Sequence, residues 1–585
     1  MNKWFNNNAM SNNRRNFIKS FGGSAAIVGL GGIPLISCTS NAKKKGIKET
    51  TSEQVLEISE KGSIVDTQYG KVRGYRRNGI YTYLGIPYGG PTSCKNRFMA
   101  PTSPEKWTGI RNALYWGPSA PQNSGFYGNA NNFKEVDMDH FSSAFTNHWE
   151  DKYYGEDCLR INIWTPSIND ISKRPVLLWL HGGGFEHGSS INLAAYIGEN
   201  LSKSGDVVVC TINHRLNAFG YINLGALGGE KFKDSANSGM LDIVASMKWI
   251  KKNISCFGGD PSNVTIFGQS GGGAKVSTIM AMPAAKGLFH KAITMSGAVL
   301  RISESDKTGE LAELVLKEAG LSKSQTEKIQ ELSWMDFFEL TSKVQAKISN
   351  KLGGNFSPCV DGLHIPQHPF DPAAPKISAG IPMIIGNCTG EMPPSVNDPS
   401  LENISFDELK KTLSKPSGSK FMSSLGINAD KIVDAYAKSF PNKKPIEIWG
   451  LLAWNMRPNA IIQAERQIVN EGSVYNYWFN WHTPLYDGRL RAYHNSDIPF
   501  WFNNTDIMDS MTGGGERPKL LADKMSQALI HFARTGDPNH SGIPNWPKYD
   551  SYNGAVMIWD DVCKVENDPD REARNIFNNL IGDQS

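Results

Sequence analysis

Along residues 60–585, short uninterrupted apolar runs alternate with stretches whose apolar positions recur every three or four residues, and glycine-rich turns separate them. An unbroken apolar run predicts a strand buried on both faces, and the longer spacing predicts a helix with one buried face. Val176-Leu177-Leu178-Trp179-Leu180 is such a strand and ends in His181-Gly182-Gly183-Gly184-Phe185. Residues 207–212 form a second, and Val264-Thr265-Ile266-Phe267 a third that runs directly into Gly268-Gln269-Ser270-Gly271-Gly272. Leu241, Val244, Ala245, Trp249 and Ile250 predict an amphipathic helix over 240–254. Further strands are predicted at 291–295, 382–386, 473–479 and 555–559, and a helix over 519–534. This alternation specifies an α/β fold with a mostly parallel sheet, and no linker-like break divides it.

The N-terminus follows a different pattern. Residues 1–20 are polar and basic, and residues 21–37 form a glycine-rich apolar run too short to span a bilayer comfortably, which is the layout of an export signal. Asn13-Arg14-Arg15-Asn16-Phe17 resembles a bacterial twin-arginine signal, and Leu35-Ile36-Ser37-Cys38 resembles a lipobox in which Cys38 is lipidated and becomes the first mature residue. Residues 38–60 then read as a solvated tether, and 61–585 as the folded part. On this reading the protein is exported and held on the periplasmic face of a bacterial membrane by its lipid alone; the alternative is a plain secretory signal cut near Ser40, which leaves it periplasmic or secreted.

Charge adds one exclusion. The chain carries a formal +4, but Lys3, Arg14, Arg15 and Lys19 supply all of it and no acid precedes Cys38, so the mature chain is neutral. A neutral surface offers no electrostatic case for nucleic acid as a partner. Seven cysteines follow Cys38 without C-x-x-C spacing, which argues against a zinc site and a full disulfide framework. Nothing in the motifs calls for a metal or cofactor, and the pattern leaves the oligomeric state open.

The chemistry concentrates at Ser270. A strand, Gly-x-Ser-x-Gly and a helix make a nucleophile elbow, whose tight turn leaves no room for side chains at Gly268 and Gly272. A serine hydroxyl needs a histidine to take its proton and a carboxylate to orient that histidine. The oxyanion then needs fixed N–H donors, and the turn after residue 180 supplies them from Gly183 and Gly184, with Gly271 as the third.

Over residues 63–585 the chain resembles the type B carboxylesterases, a family that includes bacterial para-nitrobenzyl esterases and animal cholinesterases. The resemblance runs through Gly70-Lys71-Val72-Arg73-Gly74, Leu84-Gly85-Ile86-Pro87-Tyr88, Glu156-Asp157-Cys158-Leu159, the HGGGF turn, Asn237-Ser238-Gly239-Met240-Leu241-Asp242 and Phe257-Gly258-Gly259-Asp260-Pro261. It continues to Phe532-Ala533-Arg534-Thr535-Gly536-Asp537-Pro538 and Trp546-Pro547. It implies one large α/β-hydrolase domain, where length alone, at roughly 150 residues per domain, suggests about four. It also implies an activity, hydrolysis of carboxylic esters through an acyl-enzyme, and small neutral aryl or alkyl esters are the expected substrates because residue 269 is Gln and carries no charge. The family's acid is a glutamate five residues past a strand-ending glycine, which matches Glu391 after Gly386, and its histidine precedes an acid-Ile-Pro-Phe segment, which matches His494. Asp497 is the rival acid and is assigned to fixing the histidine loop. Arg97 with Glu156, and Arg215 with Asp242, match buried scaffold ion pairs. Amide or thioester hydrolysis is compatible with the same residues, whereas a non-catalytic binding protein on this fold would not be expected to keep them.

The chain departs from the family at three places. Gln269 replaces a frequent glutamate beside the nucleophile and is expected to leave the gorge floor uncharged; Gly271 replaces a usual alanine. Ala120 stands where the usual partner of Cys158 would be, which leaves pairing of Cys158 with Cys94 open. Residues 123–155, with Trp149, are expected to form a loop over the gorge.

Overall fold

A computed structural model describes residues 55–122, 153–348, 355–415 and 424–581. Contacts divide the chain between Glu53 and Gln54, and every described residue lies after that division. The segments read as export signal, as Cys38 and as most of the loop over the gorge, Trp149 included, therefore lie outside the described residues.

A 12-stranded sheet organises the described chain. In chain order its strands are β1 (Leu56–Glu57), β2 (Tyr75–Arg77), β3 (Ile80–Pro87), β4 (Arg160–Thr165), β5 (Arg174–Leu180), β6 (Val208–Ile212), β7 (Gly259–Gln269), β8 (Lys291–Met295), β9 (Met383–Cys388), β10 (Val474–Phe479), β11 (Ala555–Trp559) and β12 (Lys564–Asn567). Their spatial order is β1-β2-β3-β4-β6-β5-β7-β8-β9-β10-β11-β12. The seven from β6 to β11 in that order pair in parallel, and antiparallel strands finish both edges. β1 pairs Leu56 with Arg77, so the sheet begins inside the stretch that the sequence pattern assigns to a tether.

The predicted strands and helices are present with small extensions. The strand before Ser270 begins at Gly259, the helix expected over 240–254, here α1, spans Ser238–Asn253, and the long helix expected over 519–534, here called the C-terminal helix, spans Glu516–Thr535. β9 continues through Gly386 to Cys388, because an internal glycine does not interrupt a strand whose ladder partners, Tyr477 to Phe479, stay in register.

Both faces of the sheet are covered, as a parallel sheet requires. Val176, Leu178 and Leu180 of β5 enter one core with Met240, Ile243, Val244 and Met247 of α1. Leu177 and Trp179 enter the other with Leu521, Met525, Leu529 and Phe532 of the C-terminal helix. The period-2 alternation thus divides one strand between two cores, which is why the run carries no polar residue. The sheet's parallel strands end at a common edge, and β7, β8 and β9 deliver Ser270, Ser296 and the Glu391 turn there in adjacent registers.

The two expected scaffold pairs form. Arg97 Nε and Nη2 donate to the two Glu156 carboxylate oxygens at 2.6 and 2.7 Å. The Arg215 guanidinium donates twice to Asp242, at 2.8 and 2.6 Å, and its backbone amide a third time at 3.0 Å, with both side chains all but inaccessible. Cys94 and Cys158 do not pair; both are free thiols, Cys94 exposed and Cys158 buried.

Breaking a buried pair leaves an uncompensated charge that costs about 3–5 kcal/mol. Asp242→Ala is expected to lower stability to urea by that amount. Asp523→Ala, which breaks the half-exposed pair with Lys519, should change it by no more than about 0.5 kcal/mol.

Candidate active site

Ser270 stands between β7 and helix α2 (Gly271–Ile279) at φ 58° and ψ −125°, a conformation that side-chain-bearing residues rarely adopt. Backbone packing imposes it. A Cβ on Gly268 would lie 2.5 Å from the Gly272 carbonyl carbon, and one on Gly272 would lie 2.0 Å from the Leu180 carbonyl oxygen. The chain can reverse only with bare backbone on both sides, which projects the one side chain at the turn outward. Ser270 N–H still donates to Met295 O at 2.8 Å, so the ladder to β8 continues through the strained residue.

Glu391 and His494 meet as the family resemblance implies. His494 Nδ1 lies 2.6 Å from Glu391 Oε2. A carboxylate accepts, so Nδ1 carries the proton and Nε2 of the neutral ring is the basic nitrogen. Nε2 is buried and makes no hydrogen bond among the described residues. The other oxygen of Glu391 accepts from Ser296 Oγ at 2.7 Å and from Cys388 N at 3.0 Å. Trp454 lies against the imidazole with ring centroids 4.4 Å apart, shielding it from water.

The histidine loop is bound to the nucleophile elbow. Gln269 Nε2 donates to the His494 carbonyl at 2.5 Å, and the Cys388 thiol points to the same oxygen at 3.7 Å. This corrects the expectation that Gln269 faces the gorge floor. Its side chain is buried and spent on positioning His494, because that carbonyl needs a donor and an amide supplies one where a carboxylate would not.

Asp497 takes the structural role assigned to it. It is fully buried and accepts from Tyr477 Oη at 2.9 Å. Burial, reinforced by the negative charge of Glu391, pushes its carboxyl up to about 7 against the Tyr477 hydrogen bond.

The glycine turn after β5 presents two amides. Gly183 and Gly184 have φ values of 84° and 62°, and at Gly183 no side chain fits because a Cβ there would meet the His187 carbonyl oxygen at 2.3 Å. Gly182 O lies 2.9 Å from His181 Nδ1, and Gly183 O accepts from the amides of Glu186 and His187 at 3.3 and 3.1 Å. In a trans peptide the C=O and the following N–H point in opposite directions, so anchoring these two carbonyls turns the Gly183 and Gly184 amides outward. Neither amide, nor that of Gly271, has an acceptor among the described residues. His181 stacks on His214 with centroids 4.8 Å apart, and burial holds both imidazoles neutral, far below the usual histidine range. They are support for the turn.

The model of the Carboxylesterase family matches residues 61–577. The chain belongs to that family. Among curated carboxylesterase relatives, the para-nitrobenzyl esterase of Bacillus subtilis is 34% identical over 520 residues, covering 87% of this chain and 97% of its own. The phenmedipham hydrolase of Pseudarthrobacter oxydans is 31% identical over 513 residues, covering 85% and 94%. Among solved structures, an esterase from Clostridium hathewayi described as hydrolysing aliphatic aromatic polyesters superposes with a TM-score of 0.76 at 35% identity, covering 90% of this chain and all of that one. This carboxylesterase is accordingly a hydrolase of carboxylic esters on an α/β-hydrolase fold.

Sequence reasoning missed Ser296, Trp454 and Lys275 at this site. Ser296 had a signal, since Ser-Gly directly follows the strand beside the nucleophile strand. Trp454 had none, because it arrives from a separate helical segment.

Raising the pKa of Asp497 from 3.8 to about 7 has a sign that can be tested. The folded state keeps a proton that the unfolded state releases, so wild-type stability falls as pH rises from about 4 to about 7, and the penalty stays in full above that. Asp497→Asn keeps an acceptor for Tyr477 and removes the penalty. Its stability gain over wild type in urea should be smallest at pH 4 and grow steadily to about 2–4 kcal/mol at pH 8.

Proposed function

We propose that this carboxylesterase works through Ser270 as nucleophile, His494 as general base and acid, and Glu391 as the carboxylate that orients the imidazole. Ser270 Oγ attacks the ester carbonyl as its proton passes to His494 Nε2, and the carbonyl electron pair becomes an oxyanion received by the amides of Gly183, Gly184 and Gly271. The alkoxide leaves with the proton from His494, and water hydrolyses the acyl-enzyme by the same steps in reverse order. The observation that carries this reading is the orientation of His494: Nδ1 on Glu391, Nε2 free, and its carbonyl fastened to the residue before Ser270. The open Nε2 accepts the Ser270 proton once substrate closes the site, since catalytic hydrogen bonds tighten in the Michaelis complex.

Neutral aryl and alkyl esters fit this site as substrates. Residue 269 brings no charge to the nucleophile, and relatives are named for para-nitrobenzyl esters and for aliphatic aromatic polyesters. Ser270→Ala should reduce turnover of p-nitrophenyl butyrate by ~10⁶, and Glu391→Gln by orders of magnitude, while Asp497→Asn stays near wild type. Turnover of Ser270→Ala within tenfold of the parent would rule out the nucleophile, and faster cleavage of butyrylcholine than of p-nitrophenyl butyrate would rule out the preference for neutral esters.

We propose further that residues 1–37 export the enzyme by the twin-arginine route and that lipidated Cys38 anchors it at the periplasmic face of a bacterial membrane. The paired arginines, the short apolar run and the Leu-Ile-Ser-Cys sequence support this. Cell fractionation should find wild type with the membrane, Cys38→Ser released from it, and Arg14-Arg15 replaced by lysines retained in the cytoplasm. Wild type wholly soluble in the periplasm would remove the anchor.

A further inference from the structure

Helix α2 carries one cation in an otherwise uncharged sequence, and that cation is buried. Lys275 is wholly inaccessible, and no carboxylate pairs with it among the described residues. Its amine donates instead to two backbone carbonyls, Gly184 O at 2.8 Å and His181 O at 3.0 Å, and lies 5.5 Å from the Phe185 ring centroid. Burial pushes it down to about 7. An unpaired buried amine is costly to keep, and the hydrogen bonds it makes all end on the glycine turn.

Those bonds complete a pattern. Gly182 O and Gly183 O are anchored by His181 and by the amides of Glu186 and His187, which leaves the carbonyls on either side of them, His181 O and Gly184 O, to be held by Lys275. Four consecutive carbonyls therefore point into the protein. The peptide planes carrying the Gly183 and Gly184 amides are fixed at both ends, with their N–H groups directed the other way. The helix that carries Lys275 also starts at Gly271, and the two residues stand one turn apart on it. A Cβ on Gly271 would lie 2.2 Å from Gly184 O and 2.4 Å from Gly184 N. The turn that Lys275 draws in thus occupies the space that an alanine at 271 would need.

We propose that Lys275 is the positioning residue of the oxyanion hole, clamping the His181 and Gly184 carbonyls so that the Gly183 and Gly184 amides lie against Gly271 in the geometry that receives the oxyanion. Lys275 touches no substrate. Its clamp serves in either protonation state, since a neutral amine still has two N–H groups for two carbonyls. The absent Cβ at 271 and the amine at 275 are two halves of one device, and either half alone is a misfit.

This inference rests on the catalytic roles proposed above, and its test separates the two. Lys275→Met, Lys275→Leu and Lys275→Gln are compared in the full chain, so that one folded variant lacking the amine suffices. Lys275→Met and Lys275→Leu should lose kcat about 100-fold with KM nearly unchanged, the size of effect seen when one oxyanion donor is lost. Lys275→Gln, which keeps two N–H groups, should recover at least part of that loss. The second readout uses a trifluoromethyl ketone labelled with ¹³C at its carbonyl. Ser270 Oγ adds to that carbon, its proton passes to His494, and the carbonyl electron pair becomes a hemiketal oxyanion whose titration the ¹³C shift follows. In the Met and Leu variants the hemiketal should protonate about two pH units higher than in wild type, the equivalent of the hundredfold. The third readout is coupling: Gly271→Ala should be severe in wild type and at least tenfold milder on the Lys275→Met background, where the turn is free to withdraw. An unchanged hemiketal titration, a loss carried by KM, or additive effects of the two substitutions would each overturn the clamp. Activity retained by Ser270→Ala would instead overturn the underlying mechanism.

Discussion

The site depends on backbone meeting backbone where β5 and β7 end. Gly268 lies against Gly272, Gly272 against the Leu180 carbonyl, and Gly271 against Gly184, each too closely for a Cβ. Interiors are packed densely enough that a contact without side chains has one solution, whereas a contact through long side chains has many rotamers. The hydroxyl of Ser270 and the amide of Gly271 are therefore located by sheet register, which the parallel pairing of Phe267 with Trp179 and Ile293 fixes on both sides. The glycine turn, helix α2 and the Lys275 clamp all take their positions from that contact.

Strain accumulates at the same edge. Ser270 at φ 58° follows β7, and Ser296 at φ 45° follows the adjacent β8, where each such residue costs on the order of 1–3 kcal/mol. Both are retained because the ladder does not stop at them: Ser270 N–H donates to Met295 O, and Ser296 N–H donates to Gly386 O, both at 2.8 Å. Each strained residue is thereby pinned to the next strand, and the chain of pins runs from nucleophile to Ser296 to the strand that leads to Glu391. The hydroxyl of Ser296 then bonds the Glu391 carboxylate, so one residue links the elbow strand to the acid.

Much of this was legible in the sequence, and the reasons differ by residue. The sheet's buried strands were legible because both faces are covered, which demands unbroken apolar runs such as 176–180. Ser270 and the glycine turn were legible because their geometry admits so few residue types. Glu391 and His494 became legible through resemblance and not through local pattern, since a carboxylate and an imidazole more than a hundred residues apart carry no periodicity that joins them. Gln269 was misread because sequence places a residue beside the nucleophile without saying which way its side chain turns; the unsatisfied His494 carbonyl decided that. Lys275 was missed because its partners are backbone oxygens that any sequence would supply.

Two carboxylates lie near one imidazole, and hydrogen-bond donors decide which of them works. Glu391 is given three donors: the hydroxyl of Ser296, the amide of Cys388 and the ring N–H of His494. Asp497 is given the phenol of Tyr477 and deep burial, with the Glu391 charge opposing its own, and its carboxyl rises to about 7. Had both been equally solvated by donors, two negative charges would compete for one ring, and the imidazole could turn toward either. Withholding donors from Asp497 leaves it a weak competitor. Tyr477 takes up its oxygen, the His494 carbonyl is fastened from the other side by Gln269, and the imidazole is left with one orientation, Nδ1 on Glu391 and Nε2 open. The asymmetry between two acids three residues and a hundred residues from the histidine is thus set by what surrounds each one, and nearness in sequence has no part in it.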